Sequence, residues 1–565
     1  MILAHAPEEI RVHQVDEATC LLARRLGLSP FLVGLLRLQD PEFGSASEGL
    51  PGWLSPDLEG LLRALPLTPS ERKARELFEA LPPGGRAVVY GDYDVDGLTS
   101  TTLALELLLL RGASVRYFIP HRFNQGYGFH ESVVRTIASR GCDLLVVVDC
   151  GTKDLEAVRE ARRAGIPVVI FDHHQAGEVL PEDAVLVNPH AEPESSPGAR
   201  QLCAAGVLWV WASRTGAAPQ EWLEERLDLV CLATLADCVN LKNPLNRSLV
   251  RRGLRVLRAA PRRGLRLLLE RLDLQAPKVD EEDLTMKVIP CLNAAGRLDL
   301  AEQAVRLLHP GDEPLDPLVR NLVDLNQKRR ILSGQVHRDA RGDGDHHVHQ
   351  GNDWPVGVLS SVASRLCSER GRPVALVAPT GTQLRGTLRM PEGGGGDAVA
   401  VLQELSPDLA AWGGHRQAAG FAVEPGLWGK VRPRLEQLLR DVPLLSEPLH
   451  VLAWPLEALT PEAWAEAEVL RPFGMGNPSP LFLDAGGAIP SVQPLGKTGK
   501  VFKVLLGRCE LVAFDEERLL ERVNPQGWIY RPRQEVWRGR RQLRLYLERI
   551  VRGAPVGSAA GGCVG

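Results

Sequence analysis

The chain has 565 residues, 44% hydrophobic and 24% charged, a composition that excludes a disordered or fibrous protein and makes several globular domains the expectation. Its net charge is −4 at pH 7, and 56 of its 66 basic residues are arginine, so any surface for a polyanion must be concentrated locally. No apolar run approaches the ~20 residues that span a bilayer; the longest candidate, Leu103 to Leu110, contains Glu106.

Residues 1 to 83 read as a helical lead-in, broken by Pro41, Pro51 and Pro82-Pro83. Met1 to His13 meets Glu8, Glu9 and Arg11 before any apolar stretch, which argues against an export signal. Ten cysteines without a C-x-x-C pair argue against a disulfide framework and a zinc ribbon. A reducing cytoplasm is the expected compartment, with no membrane contact.

From 84 to 240 the pattern alternates between strand and helix. Ala87 to Tyr90, Val115 to Ile119, Asp143 to Asp149 and Pro167 to Phe171 are short apolar runs, and Leu98 to Arg111 has leucines on more than one helical face. Continuous apolar strands separated by helices predict a doubly wound parallel sheet buried on both faces. Ligands of such sheets bind beyond the carboxyl ends of the strands. Residues 241 to 333 read as linking helices. There, Lys242 to Arg271 holds ten basic residues and one acid, Glu270, either a solvated helical face or a phosphate-tracking surface. A loop rich in Gly, Asp and His, Arg341 to Asp353, marks the next boundary, and 334 to 445 read as a second α/β domain. Residues 446 to 553 are strand-rich, with runs at Val501–Leu506, Leu511–Phe514 and Gln542–Leu547, and 554 to 565 read as a disordered tail.

Acidic and imidazole residues gather at the predicted strand ends. Asp92, Asp94 and Asp96 follow the first strand, Asp149 the third and Asp172-His173-His174 the fourth, while Asp237 ends the apolar run from Leu232. Carboxylates beside apolar strand ends repel one another unless cations neutralise them. Mixed carboxylate and imidazole ligands suit Mn²⁺, with Mg²⁺ less natural. Two such ions would activate a water and stabilise the leaving oxygen of a phosphoester. A second Asp-His-His, Asp345-His346-His347, has no apolar strand before it, and the expectation there is a solvated loop with unfixed rotamers.

The ordered motifs resemble the DHH phosphoesterase superfamily, and within it the RecJ-type single-strand-specific exonucleases. The resemblance runs from about residue 86 to 550. Beyond the strand-end acids it includes Ile119-Pro120-His121-Arg122 with Gly126-Tyr127-Gly128, Leu235-Ala236-Asp237, and Leu292-Asn293-Ala294-Ala295-Gly296-Arg297. Gly413-Gly414-His415 with Ala418-Ala419-Gly420-Phe421 resembles the DHHA1 substrate-binding domain, and Phe473-Gly474-Met475-Gly476-Asn477-Pro478 the start of the RecJ OB-fold.

The resemblance implies a DHH domain followed by a DHHA1 domain across a long helix, then a β-rich OB-like domain. It implies that Asp92, Asp94, Asp96, Asp149, His173 and Asp237 hold two ions, Mn²⁺ or Mg²⁺. His174 would be a ligand or phosphate contact, and Asp172 would orient its neighbours. Arg122, Arg297 and His415 would contact phosphate, and Thr387 and Arg389 the 5′-phosphate end. Two departures stand out. Trp354-Pro355-Val356-Gly357 lacks the histidine of the family's Trp-His-Pro-Gly, the strand before it being replaced by the His-rich loop. Gly386-Thr387-Leu388-Arg389 has threonine for serine, which keeps a hydroxyl donor.

The implied activity is metal-dependent 5′-to-3′ hydrolysis of single-stranded DNA, in repair and recombination, by a monomer with possible repair-protein partners. The OB-like region would supply charge and base stacking: Ile529 to Arg552 holds eight arginines and two glutamates, with Tyr530, Trp537 and Tyr546 interleaved. The rival readings are a DHH/DHHA1 phosphodiesterase acting on oligoribonucleotides or cyclic dinucleotides, and a catalytically impaired single-strand-binding protein. The OB-like extension counts against the first, and the full set of ligands against the second.

Overall fold

The computed structural model describes residues 9–44, 50–121, 126, 128–391, 393–443, 448–486, 490–496, 501–514, 525–537 and 540–551. The chain divides into two compact units, one of residues 52–329 with 472–478, the other of 1–51, 330–471 and 479–565. The division falls within the helix Leu315–Gly342. Leu315, Leu318, Val319 and Leu322 of this helix are buried in the core of the first unit, whereas Val336 and Ala340 belong to a core of the second.

The first unit is built on a five-stranded parallel sheet in the spatial order Ser114–Phe118, Arg86–Tyr90, Leu144–Val148, Val168–Phe171, Val185–Val187. Every residue of Leu144–Val148 is buried. Leu144, Val146 and Val148 face a core shared with the helices Val95–Leu110, Ala204–Thr215 and Leu227–Ala236; Leu145 and Val147 face a second core with Glu131–Ser139 and Leu155–Arg163. Two covered faces explain why these strands are continuously apolar. The chain order reverses between Arg86–Tyr90 and Leu144–Val148, which makes the space beyond their carboxyl ends the switch point where doubly wound sheets bind ligands.

The stretch 1–83 is not one lead-in. Ile10–His13 pairs in parallel with Leu449–Ala453 in the second unit, whereas Leu58, Ala74, Phe78 and Leu81 join the core of the first. The second unit holds two sheets. One has five strands in the order Ala411–His415, Ala418–Val423, Gln383–Arg389, Val374–Thr380, Val348–Gln350, antiparallel except for the last pair. The other has eight strands and runs from Ile10–His13 through Leu449–Ala453, Phe482–Asp484, Gly527–Trp537, Arg540–Val551, Cys509–Phe514 and Val501–Leu506 to Ser491–Pro494.

Three further expectations change. The strand thought to be replaced by the His-rich loop exists, as Val348–Gln350, and the rotamers beside it are fixed. His347 is buried with Nδ1 2.8 Å from the Pro373 carbonyl, and His349, fully buried, lies between Asp343 and Arg370. Asp345 is 91% exposed and pairs with Arg372, so it and His347 turn to different partners. Asp345→Ala should leave the unfolding midpoint and any nuclease rate unchanged.

Within Lys242 to Arg271, much of the arginine is spent inside the unit. Arg247 is buried over the Trp53 ring, Arg251 donates to the Leu54 carbonyl at 2.6 Å and Arg258 to the Val279 carbonyl at 2.6 Å. Arg252 pairs with Glu59, and Arg262 pairs with Glu106 and Asp228.

The Phe473–Pro478 motif belongs to the first unit rather than to the strand-rich region it precedes in sequence. The Met475 carbonyl accepts from the Leu241 N–H at 2.8 Å, and the Phe473 N–H donates to Glu281 at 2.8 Å. Gly476 has φ +72°, and a side chain there would overlap Asn240. The expected tail, 554 to 565, lies outside the described residues.

Candidate metal centre

Asp94 caps the helix Val95–Leu110, its side chain accepting from the Asp96 N–H at 3.0 Å and the Gly97 N–H at 3.2 Å. Gly97 allows the loop to fold back on itself, since a Cβ there would lie 2.6 Å from the Asp92 carbonyl oxygen. Asp96 is buried at the start of Ala204–Thr215 and accepts from the Ala204 N–H at 2.7 Å and the Ala205 N–H at 3.0 Å. Asp149 adopts φ +61°, in the left-handed region. Aspartate tolerates this conformation better than most residues, and such strain gathers at functional sites. Asp237 caps the end of Leu227–Ala236.

These side chains converge. Ligand atoms of Asp149, Asp172, His173 and His174 lie within 4.8 Å of one another, as do those of Asp96, His173 and Asp237, and those of Asp92, Asp94 and Asp149. His173 Nε2 is 3.3 Å from Asp149 and 3.7 Å from Asp96, and its Nδ1 is 3.6 Å from Asp237. Asp149 and His173 each belong to two groups, which links the three into one site.

The electrostatics of this cluster call for cations. Burial, then repulsion from Asp96, Asp94 and Asp92, pushes the Asp149 carboxyl well above the usual carboxylate range. Burial also raises Asp96, and it takes Asp237, with Asp96 and Asp94 beside it, to about 8. A divalent ion removes both penalties at once. The donor set of carboxylates and imidazole fits Mn²⁺ and, through its oxygens, Mg²⁺.

Asp172 plays a different part. One oxygen accepts from the Thr152 N–H at 3.1 Å and its hydroxyl at 2.5 Å; the other accepts from the His173 and His174 N–H groups and faces His174 Nδ1 at 2.7 Å. Burial opposes its charge, but these bonds hold the carboxyl far below its ordinary range. Burial likewise disfavours charge on His174, yet the Asp172 bond raises that imidazole to about 9. Asn188 completes the network, donating to Thr152 Oγ at 2.8 Å and the His174 carbonyl at 2.9 Å. No motif in the sequence marks Thr152 or Asn188. The available signal was position: Asn188 directly follows the fifth strand, as the acids follow the others.

Arg122 lies outside the described residues. Beyond it, the chain is anchored by the Tyr90 hydroxyl donating to the Gly128 carbonyl at 2.8 Å and by Asp154 accepting from the Phe129 N–H at 2.8 Å. Arg297 sits on the helix Ile289–Leu298 of the same unit.

Thr387, Arg389 and His415 belong to the second unit. Arg389, Ala418 and His415 form one row across three strands, and Thr387, Gly420 and Gly413 the next equivalent row. Paired residues share a face, so the two glycines leave backbone exposed beside the three polar side chains. Arg389 donates to Thr387 Oγ at 3.0 Å and to Ser364 Oγ at 3.0 Å, and it also reaches the Ser360 hydroxyl. In the eight-stranded sheet Tyr530 is buried, its hydroxyl donating to the Trp454 carbonyl. Phe514 is exposed and stacks on Tyr546 at 5.8 Å, with Arg533 over the Tyr546 ring; the Trp537 side chain lies outside the described residues.

Family models match this chain in the same order: the DHH family, N-terminal domain, over residues 86–234, the DHHA1 domain over 343–441, and the RecJ OB domain over 452–549. The single-stranded-DNA-specific exonuclease RecJ of Escherichia coli is 33% identical over 512 residues, 84% of this chain and 86% of that one. The chain belongs to the RecJ family. RecJ of Thermus thermophilus is 35% identical over 443 residues, 76% of this chain, and RecJ of Bacillus subtilis is 30% identical over 473. The alignments span 63% and 59% of those two relatives' lengths. The crystal structure of Thermus thermophilus RecJ in complex with Mn²⁺ superimposes with a TM-score of 0.79 at 28% identity, covering 98% of this chain and 81% of that one. The same RecJ has been solved with Mg²⁺, and superimposes with a TM-score of 0.73 at 27% identity, covering 97% of this chain and 79% of that one. No single helix among the described residues is long and apolar enough to cross a membrane.

Proposed function

We propose that this chain is a metal-dependent 5′-to-3′ exonuclease that hydrolyses phosphodiester bonds of single-stranded DNA, working as a cytoplasmic monomer in DNA repair and recombination. The observation that carries the reading is the convergence of six carboxylates and two imidazoles at the switch point of a doubly wound sheet. Asp92, Asp94, Asp96, Asp149, His173 and Asp237 are the residues that would hold two ions, Mn²⁺ or Mg²⁺. When bound, such ions supply Lewis acidity and a nucleophile at neutral pH.

The protein's own groups do the positioning. Asp172 orients the His174 imidazole through Nδ1 and favours its protonated form, in which Nε2 donates to a phosphate oxygen. Arg122 and Arg297 are further phosphate contacts. Arg389 and His415, beside the exposed Gly413 and Gly420 and with Thr387 buried against the Arg389 guanidinium, form a face suited to the terminal 5′-phosphate. The hydroxyls around Arg389 hold its guanidinium ready for that group, so its order is established before the strand arrives. Phe514 and Tyr546, with Arg533, suit base stacking along the strand.

The test is digestion of end-labelled single-stranded DNA and RNA by the purified protein with Mn²⁺. Release of mononucleotides from the 5′ end of DNA supports the reading; attack from the 3′ end, or on RNA alone, sinks it. Arg389→Ala should raise KM for 5′-phosphorylated strands by about tenfold or more and much less for 5′-hydroxyl strands, because only the former lose a charge-assisted partner. Thr387→Ser should be near neutral and Thr387→Val impaired. Equal wild-type cleavage of both end groups, untouched by Arg389→Ala, would remove the pocket from the reading.

A further inference from the structure

The helix Ile289–Leu298 contributes no carboxylate, yet it packs on the loop that carries three of them. Pro290 in its first turn has no N–H, and the turn before it, Leu284–Val288, is a π-helix. That wider turn sets the rotation of the helix that follows. Asn293 and Gly296, three residues apart, share one face of it.

Both residues touch the peptide groups on either side of Asp94. Asn293 Oδ1 accepts from the Val95 N–H at 3.1 Å. Gly296 is buried against the Tyr93 carbonyl. A methyl carbon there would overlap that oxygen and lie 3.4 Å from both the Tyr93 carbonyl carbon and Cβ. Glycine is therefore required by close approach, since it lies within a right-handed helix and needs no special backbone angle. The peptide before Asp94 is thus set by contact and the peptide after it by a hydrogen bond. Asp92, Asp94 and Asp149 must hold their oxygens within 4.8 Å of one another, and a shift of a few tenths of an ångström in this loop would spread them.

We propose that Asn293 and Gly296 are positioning residues of the metal centre, setting the spacing of Asp92, Asp94 and Asp96 and through it the affinity for divalent cations. The proposal rests on the metal reading of the site given above. Neighbours that orient ligands typically govern metal affinity by 10–100-fold.

The full-length protein, freed of metal, would be titrated with Mn²⁺ while the free-ion EPR signal is followed, and melted in EDTA and in Mn²⁺. Gly296→Ala and Asn293→Leu should each weaken Mn²⁺ binding by about tenfold or more. Asn293→Asp, which keeps an acceptor for the Val95 N–H, should stay within about threefold. Melting in EDTA should change little for Asn293→Leu while the Mn²⁺-induced rise shrinks, which a merely structural role would not produce. Wild-type affinity in both Gly296→Ala and Asn293→Leu overturns the proposal, and equal loss in Asn293→Asp and Asn293→Leu overturns the acceptor role. If Gly296→Ala fails to fold, Asn293→Leu decides alone. A wild-type protein that binds no Mn²⁺ overturns the metal reading itself, which is a separate outcome.

Discussion

Asp149→Ala should reduce hydrolysis to below about 10⁻³ of the wild-type rate, since it removes a carboxylate shared by two of the three ligand groups. In EDTA the same variant should be no less stable than the wild type. Metal-free, burial and then repulsion from Asp96, Asp94, Asp92 and Asp172 raise the Asp149 pKa; loss of that carboxyl relieves the site. Asp149→Gly should melt higher still, because glycine also accommodates φ +61° without strain. The wild type should regain more stability from Mn²⁺ than either variant. Hydrolysis by Asp149→Ala near the wild-type rate would refute the ligand assignment.

Replacing Arg262 should produce the largest loss of stability. Its guanidinium donates to Glu106 at 2.5 Å and to Asp228 at 2.8 Å, while Arg226 and His309 meet the same Glu106 carboxylate at 3.0 Å. Asp228 and Glu106 are 2% and 7% exposed, so Arg262→Ala takes the paired cation from buried Asp228 and one of three partners from Glu106, at a cost of about 3–5 kcal/mol. Glu106 lies on the helix that starts at the Asp94 cap, about 18 Å farther along its axis, so the network pins the helix whose first turn carries Asp96.

The pH dependence has a definite sign. Burial disfavours charge on Glu106, but the His309 hydrogen bond and the Arg262 and Arg226 charges overcome it and bring its pKa to about 2. A carboxyl depressed on folding stabilises above its unfolded pKa of 4.5, and that contribution fades as pH falls from there toward 2. Glu106→Gln should therefore melt well below the wild type at pH 7, with the gap narrowing below pH 4.5. A constant gap down to pH 2 would count against this account.

Glu106 shows how far pattern reading reached. In sequence it is the charge that breaks an apolar run. Its partners Arg226, Arg262 and His309 lie more than a hundred residues away, and nothing local announces them. Arg262 belongs to the stretch Lys242 to Arg271, whose pattern reads as a solvated or phosphate-binding face, because periodicity reports amphipathicity and not what a guanidinium meets. The Asp-His-His at Asp345 has no apolar strand before it, and a solvated loop is what that pattern suggests. Two histidines of that loop are nonetheless buried: His347 precedes and His349 lies within Val348–Gln350, which adds an edge to the sheet, and a three-residue strand is too short to register as a period.

By itself, the sequence determined the parallel sheet and the acids at its strand ends. Strands covered on both faces must be continuously apolar, and the chain that leaves them is the only part free to carry charge. The tertiary structure alone decided how those acids are held. Asp94 caps a helix, Asp96 fills the amide-lined start of another, Asp149 takes a left-handed turn, and Asn293 and Gly296 press on the loop from about two hundred residues away. It also decided that Ile10–His13 pairs with Leu449–Ala453 and that Phe473–Pro478 packs beside Leu241. Such contacts depend on shape and hydrogen-bond geometry between segments remote in the chain, and neither leaves a repeat in the order of residues.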